Sequence, residues 1–131
     1  MSILPTSPEF LEFWRERRLC TVTTLRPDGT PHVVPMGVAL DAEHGRAWAI
    51  TSGTSRKARN LVAAGDGALI AVCQVEGGRW STIEGRATVL TDAEGIAEAE
   101  SRYAARYKTP RENVARVGIR IEITRVLGNA G

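Results

Sequence analysis

Cysteine is scarce in this chain: Cys20 and Cys73 are the two, and they do not form a Cys-x-x-Cys spacing. Each sits in an apolar, strand-like run, which argues for buried reduced thiols and against a disulfide-stapled scaffold. Histidine is equally scarce. Neither His32 nor His44 has a cysteine or carboxylate at metal-ligand spacing, so no metal site is legible. No apolar run approaches the about 20 residues of a membrane span. The first residues carry no cationic-then-apolar signal segment, so the sequence predicts a cytoplasmic protein that does not engage a membrane. Excess charge is missing too. A net charge of +2, despite a pI near 8.8, argues against a nucleic-acid binder with a broad basic face. Internal repeats, low-complexity tracts, a Gly-x-Gly-x-x-Gly loop, a Walker loop and a nucleophile elbow are all absent. What is present is ordinary for a soluble globular protein: 131 residues, 43% hydrophobic and 24% charged. That length predicts a single domain over residues 1–131.

Six strands are legible, at residues 19–25, 31–40, 46–50, 68–75, 80–90 and 117–124, with turn residues between them. Arg26-Pro-Asp-Gly-Thr30 joins the first two as a hairpin, since proline presets one φ and glycine accepts a positive one. The second strand contains Pro35 and Gly37. It is expected to bulge or open at Pro35, leaving backbone groups for a flat ligand; an ordinary edge strand is the competing reading. Gly85 marks a bulge or a close approach in the fifth strand. Ser7 and Pro8 begin a helix with Phe10, Leu11 and Trp14 on one face. A third helix opens on a Thr91-x-x-Glu94 capping box, aligns Ile96, Ala99, Tyr103 and Tyr107, and stops before Pro110. His44 falls in a turn and is expected to be solvated. This order predicts a mainly β, α+β fold: a six-stranded antiparallel barrel with flanking helices.

One stretch carries chemistry. Thr51-Ser-Gly-Thr-Ser-Arg-Lys-Ala-Arg-Asn60 follows a buried strand and precedes a short helix body at 61–64. It sets hydroxyls, a glycine and the cations Arg56, Lys57 and Arg59 at a helix N-terminus, where unpaired N–H groups already favour anions. A phosphate suits that set. So does a simpler reading, in which Thr54 or Ser55 caps the helix and the cations face solvent.

The motifs Thr23-Thr-Leu-Arg-Pro-Asp-Gly-Thr-Pro-His-Val-Val-Pro-Met36, Thr51-Ser52, Ser55-Arg-Lys57 and Asn60-Leu61 resemble the pyridoxamine 5′-phosphate oxidase-like superfamily. Cys73-Gln-Val-Glu-Gly-Gly-Arg-Trp80, Ile83-Glu-Gly-Arg-Ala87, Arg102-Tyr-Ala-Ala-Arg-Tyr107 and Arg125-Val-Leu-Gly128 sharpen the match. Together they resemble the coenzyme F420-dependent branch of actinobacteria, and most closely its biliverdin reductases. The resemblance implies a split β-barrel, a homodimer with cofactor at the subunit interface, and a small-molecule acceptor such as biliverdin. It also implies that the cofactor, not a side chain, does the hydride chemistry. Site residues follow by the same resemblance. His32 would begin the ring strand, and the ring would lie along Val33, Val34, Pro35 and Met36. The tail phosphate would sit on Thr51, Ser52, Ser55, Arg56 and Lys57, while Asn60 would hold the loop or the tail. Arg79 and Trp80 would close the pocket from the second subunit. The accompanying proton has no evident side-chain donor; solvent, or an arginine stabilising developing charge, suffices. Two alternatives stay open: an FMN-dependent pyridoxamine or pyridoxine 5′-phosphate oxidase-like enzyme, and a non-enzymatic flavin- or haem-related binding protein.

Overall fold

Seven antiparallel strands form the sheet, one more than the sequence predicts, because residues 31–40 divide in two. The computed structural model describes residues 4–131. Its elements run α1 (Pro8–Arg15), β1 (Cys20–Leu25), β2 (Pro31–Met36), β3 (Ala39–Asp41), β4 (Arg46–Ser52), α2 (Arg56–Ala64), β5 (Ala68–Glu76), β6 (Arg79–Leu90), α3 (Ala93–Arg106) and β7 (Arg116–Gly128). The division comes after Met36 and not at Pro35, which keeps its place in the ladder opposite Thr21. Val38 is held by side chains instead of a neighbouring strand. Its N–H donates to the Tyr107 hydroxyl at 3.1 Å, and its carbonyl accepts from Arg106 Nη1 at 2.5 Å.

The strand order is β2-β1-β5-β6-β7-β4-β3. β2 and β3 are therefore opposite edges of the sheet, yet only Gly37 and Val38 lie between them in sequence. Three Cα-to-Cα steps reach at most about 11 Å. The sheet must curl until its edges meet at that end, and among the described residues no ladder closes it.

The alternation read in β7 holds from Ile119 on: Ile119, Ile121 and Ile123 are buried while Glu122 and Thr124 face out. Gly118, expected on the wet face, is instead buried beneath α3, where a Cβ would lie 2.9 Å from that of Ala99. Ser7 caps α1, accepting from the Phe10 N–H at 3.3 Å, and the helix buries Phe10, Phe13 and Trp14. Trp14 Nε1 donates to Ser81 Oγ at 3.1 Å, and Gln74 Nε2 donates to the Phe13 carbonyl at 3.0 Å, fixing α1 on β5 and β6. The cap of α3 is Asp92, one residue after the predicted Thr91. Its carboxylate accepts from the Gly95 N–H at 3.0 Å, and a Cβ on Gly95 would crowd that carboxylate at 2.7 Å.

Gly85 is the close approach expected of it. The β6–β7 register shifts between Glu84 and Gly85, and a Cβ there would lie 2.3 Å from the Glu122 carbonyl oxygen. Backbone cannot yield as a side chain can. Gly85→Ala is expected to destabilise by about 1–3 kcal/mol, read as a lower urea midpoint at unchanged slope. Among the described residues, no helix is long and apolar enough to cross a membrane.

Candidate functional site

β4 ends at Ser52, and the chain turns through Gly53 and Thr54 into α2. Ser55 is the N-cap. Its Oγ accepts from the Ala58 N–H at 3.2 Å and from the Thr51 hydroxyl at 3.1 Å. The capping reading therefore holds for Ser55, but it leaves the cations unexplained. The helix starts at Arg56, well before the predicted 61–64, so Arg56, Lys57 and Arg59 lie on it and not ahead of it. No acidic residue occupies its first turn. Among the described residues none of the three cations pairs with a carboxylate. Cations at the positive end of a helix are unfavourable, and an anion there relieves the repulsion. Lys57 is half-buried, and that burial pulls its pKa below the ordinary lysine value. The turn is pinned from outside: Asn113 Nδ2 donates to Ser52 Oγ at 2.9 Å, and the Gly53 N–H donates to the Ala115 carbonyl at 2.7 Å.

α2 is tied to the first hairpin by one buried amide. Asn60, 2% exposed, donates from Nδ2 to Thr24 Oγ1 at 3.0 Å. Its Oδ1 has no partner among the described residues. Thr24 faces His32 across the β1–β2 ladder, and among the described residues the buried Nδ1 of His32 is unpartnered as well. Two orphaned polar atoms thus flank Thr24 beside the basic helix.

The free edge of β2 has an unusual donor pattern, which can be derived from its turn. The Arg26 N–H donates to the Thr30 carbonyl at 2.8 Å, so residues 26 and 30 form a hydrogen-bonded pair. Such pairs alternate along an antiparallel ladder. His32, Val34 and Met36 therefore turn their backbones toward β1, and Pro31, Val33 and Pro35 turn theirs to the open edge. Proline has no N–H. Along the β2 ladder the Pro31 carbonyl already accepts from Arg26 Nη1 at 2.7 Å, so the edge offers the carbonyls of Val33 and Pro35 and one N–H, that of Val33. Val33 is 56% exposed and Pro35 also points outward, whereas Met36 is buried.

Arg79 and Trp80 lie elsewhere. β5 and β6 pair from Ala68↔Ala87 to Glu76↔Arg79, eight steps, so Arg79 is about 26 Å from the end that packs on α2. Arg79 rests over the Phe13 ring at 5.1 Å. Within one chain the basic helix and the Arg79–Trp80 pair do not meet. His44 differs from expectation: it is partly exposed but engaged, with Nδ1 at 3.0 Å from the Asp41 carboxylate. Burial pushes Asp41 up, but hydrogen bonds from His44 and Trp48 and the Arg102 charge outweigh it and hold the carboxyl below its usual range.

The model for the pyridoxamine 5′-phosphate oxidase family matches residues 6–130. The chain belongs to that family. It is 47% identical over 124 residues, covering 95% of this chain and 88% of the other, to a protein of Mycobacterium tuberculosis (strain CDC 1551 / Oshkosh) named F420H(2)-dependent biliverdin reductase. Among solved structures, a conserved hypothetical protein from Mycobacterium tuberculosis superposes with a TM-score of 0.76 at 25% identity, over 97% of this chain and 86% of that one. A protein described as an F420 reductase superposes at 0.70 with 22% identity, over 95% and 98% of the two chains, a likeness of fold alone. A ring cofactor carrying a phosphate fits the residues present. For the phosphate, the head of α2 has cations without a carboxylate partner among the described residues, with hydroxyls beside them. For a heteroatom edge, β2 has the Val33 N–H with the Val33 and Pro35 carbonyls.

Proposed function

We propose that the protein is an oxidoreductase that uses reduced coenzyme F420 to reduce a conjugated acceptor, with biliverdin the first acceptor to try. The observation that carries this reading is the half-buried, unpaired Lys57 among three cations at the head of α2. It stands in a chain 47% identical to a protein named for F420H2 and biliverdin. When bound, the deazaflavin supplies the hydride. The chain's own residues bind and orient. Lys57, with Arg56 and the hydroxyls of Thr51, Ser52 and Ser55, takes the tail phosphate by charge-assisted contacts. The Val33 N–H and the carbonyls of Val33 and Pro35 would take the heteroatom edge of the ring, holding it in one register along β2. Asn60 anchors α2 to β1, so phosphate and ring are gripped by elements fixed to each other. Arg59 is free to meet the acidic tail.

FMN shares the ribityl phosphate and would use the same helix, so affinity for phosphate alone does not separate the two cofactors. Single-turnover oxidation of each reduced cofactor, with and without biliverdin under strict anaerobiosis, does. The expected result is acceptor-dependent oxidation of reduced F420. Tight FMN binding with oxygen-dependent turnover of pyridoxine 5′-phosphate, and no deazaflavin activity, would replace this reading with a flavin oxidase. Binding of a cofactor without turnover of any acceptor would make the protein a carrier.

A further inference from the structure

Arg106 is a buried cation that the functional reading above does not use. It is 9% exposed, and among the described residues no carboxylate lies within ion-pair distance of it. Its guanidinium donates to the Glu16 carbonyl at 2.8 and 3.0 Å, to Gln74 Oε1 at 2.7 Å and to the Val38 carbonyl at 2.5 Å. Tyr107, the next residue, is buried to the same degree. Its hydroxyl donates to the Arg18 carbonyl at 2.7 Å and accepts from the Val38 N–H at 3.1 Å. Burial pushes the phenol pKa up to about 12, so the hydroxyl keeps its proton at neutral pH. The Tyr103 and Tyr107 rings stack with centroids 5.0 Å apart and lie against Gly37, where a Cβ would meet them at 2.9–3.0 Å. The end of α3 thus holds both residues of the joint between the two sheet edges.

That joint is where β2 stops. β2 is an edge strand, laddered to β1 on one side and open on the other, so the far end of its free edge is set by whatever holds Gly37 and Val38. We propose that Tyr107, backed by Arg106, is a positioning residue for the cofactor ring: it fixes the joint, and through it the free edge of β2. The inference rests on the reading that the ring lies along that edge. The phosphate helix is separate from the joint. α2 is tied to Thr24 opposite His32, four residues and about 13 Å along β2 from Met36. Disturbing the joint should therefore weaken ring binding and spare phosphate binding.

Tyr107→Phe keeps the ring and its packing while removing the hydroxyl. Reduced F420 and FMN are titrated by fluorescence, and inorganic phosphate by the amide shifts of the first turn of α2. The expected result is a roughly three- to tenfold loss of affinity for either ring cofactor, with a shifted absorbance band of the bound ring and unchanged phosphate affinity. Gly37→Ala, which presses on the same rings, should give the same pattern. Parallel loss of ring and phosphate binding, or a lower melting temperature with all affinities unchanged, would reduce Tyr107 to a structural role and overturn the proposal. Wild-type protein that binds neither cofactor would overturn the functional reading itself, and the inference with it.

Discussion

Replacing Lys57 with alanine is expected to lower the affinity for reduced F420 by about tenfold to a hundredfold while leaving the fold intact. The lysine is half-buried at the head of α2 and pairs with no carboxylate among the described residues, so alanine removes no ion pair from the folded chain. In the free protein its pKa lies below the ordinary value because burial penalises the ammonium. Its effect on stability has a definite sign. Between the lowered folded pKa and the ordinary unfolded one, the unfolded chain holds the extra proton. Stability from this group therefore rises with pH across that window, and the burial penalty vanishes only above the ordinary lysine range. A bound phosphate reverses the trend, because it favours the ammonium. Cofactor affinity should fall as pH climbs through the lowered pKa, and the fall should be absent in Lys57→Ala. Fluorescence titration of both proteins across alkaline pH tests this. Equal affinities throughout would leave Ser55 as a helix cap and the cations as solvated surface.

Much of this site is visible in the sequence because its determinants are local. Ser7 with Pro8, the Pro-Asp-Gly turn and the alternation from Ile119 to Ile123 each follow from neighbours within a few residues. The hydroxyl-and-cation stretch was legible as chemistry but not as geometry. Arginine and lysine are good helix formers, so α2 extends back through the cations to Arg56, where hydroxyl content alone suggested loop. The seventh strand was illegible for a different reason. Nothing near Gly37 says that residues 31–40 must divide; the groups that hold Val38 away from a ladder come from positions 68 and 69 residues further on. Pro35 reads as a ladder breaker in the sequence, yet its register puts its nitrogen on the open edge, where a missing N–H breaks nothing. The links from Asn60 to Thr24 and from Asn113 to Ser52 are equally non-local, at 36 and 61 residues of separation. Asn60, expected just ahead of a helix body at 61–64, gives a weak signal of such a pin only through the resemblance, which has it hold the loop or the tail. Asn113 gave none.

A second copy of the chain is expected to cover the outer face of β2, β1, β5 and β6, and breaking that contact should abolish cofactor binding. Side chains on this face or at its margins include Leu69 at 54% exposure, Val33 at 56%, Val75 at 63% and Leu25 at 41%. Leu127 and Trp80 add to the exposed apolar surface at 42% and 39%. Apolar side chains so grouped on strands mark an interaction surface more readily than solvent-facing decoration. The placement of Arg79 and Trp80 adds an independent argument. If they close the pocket, they cannot do so in their own chain, because about 26 Å of β5–β6 hairpin separates them from the α2 end. A two-fold axis would bring each pair to the other copy's site and bury the same patch twice. Leu69→Glu places a carboxylate on the patch in both copies. Desolvating it costs several kcal/mol per copy, enough to weaken the dimer by roughly a thousandfold or more. Light scattering at micromolar concentration should report two chains for the wild type and one for the variant, with F420 affinity lost in the variant although its melting temperature stays high. A wild-type mass of one chain would sink the assembly. A monomeric Leu69→Glu that still binds F420 tightly would keep the dimer but remove the second copy from the site.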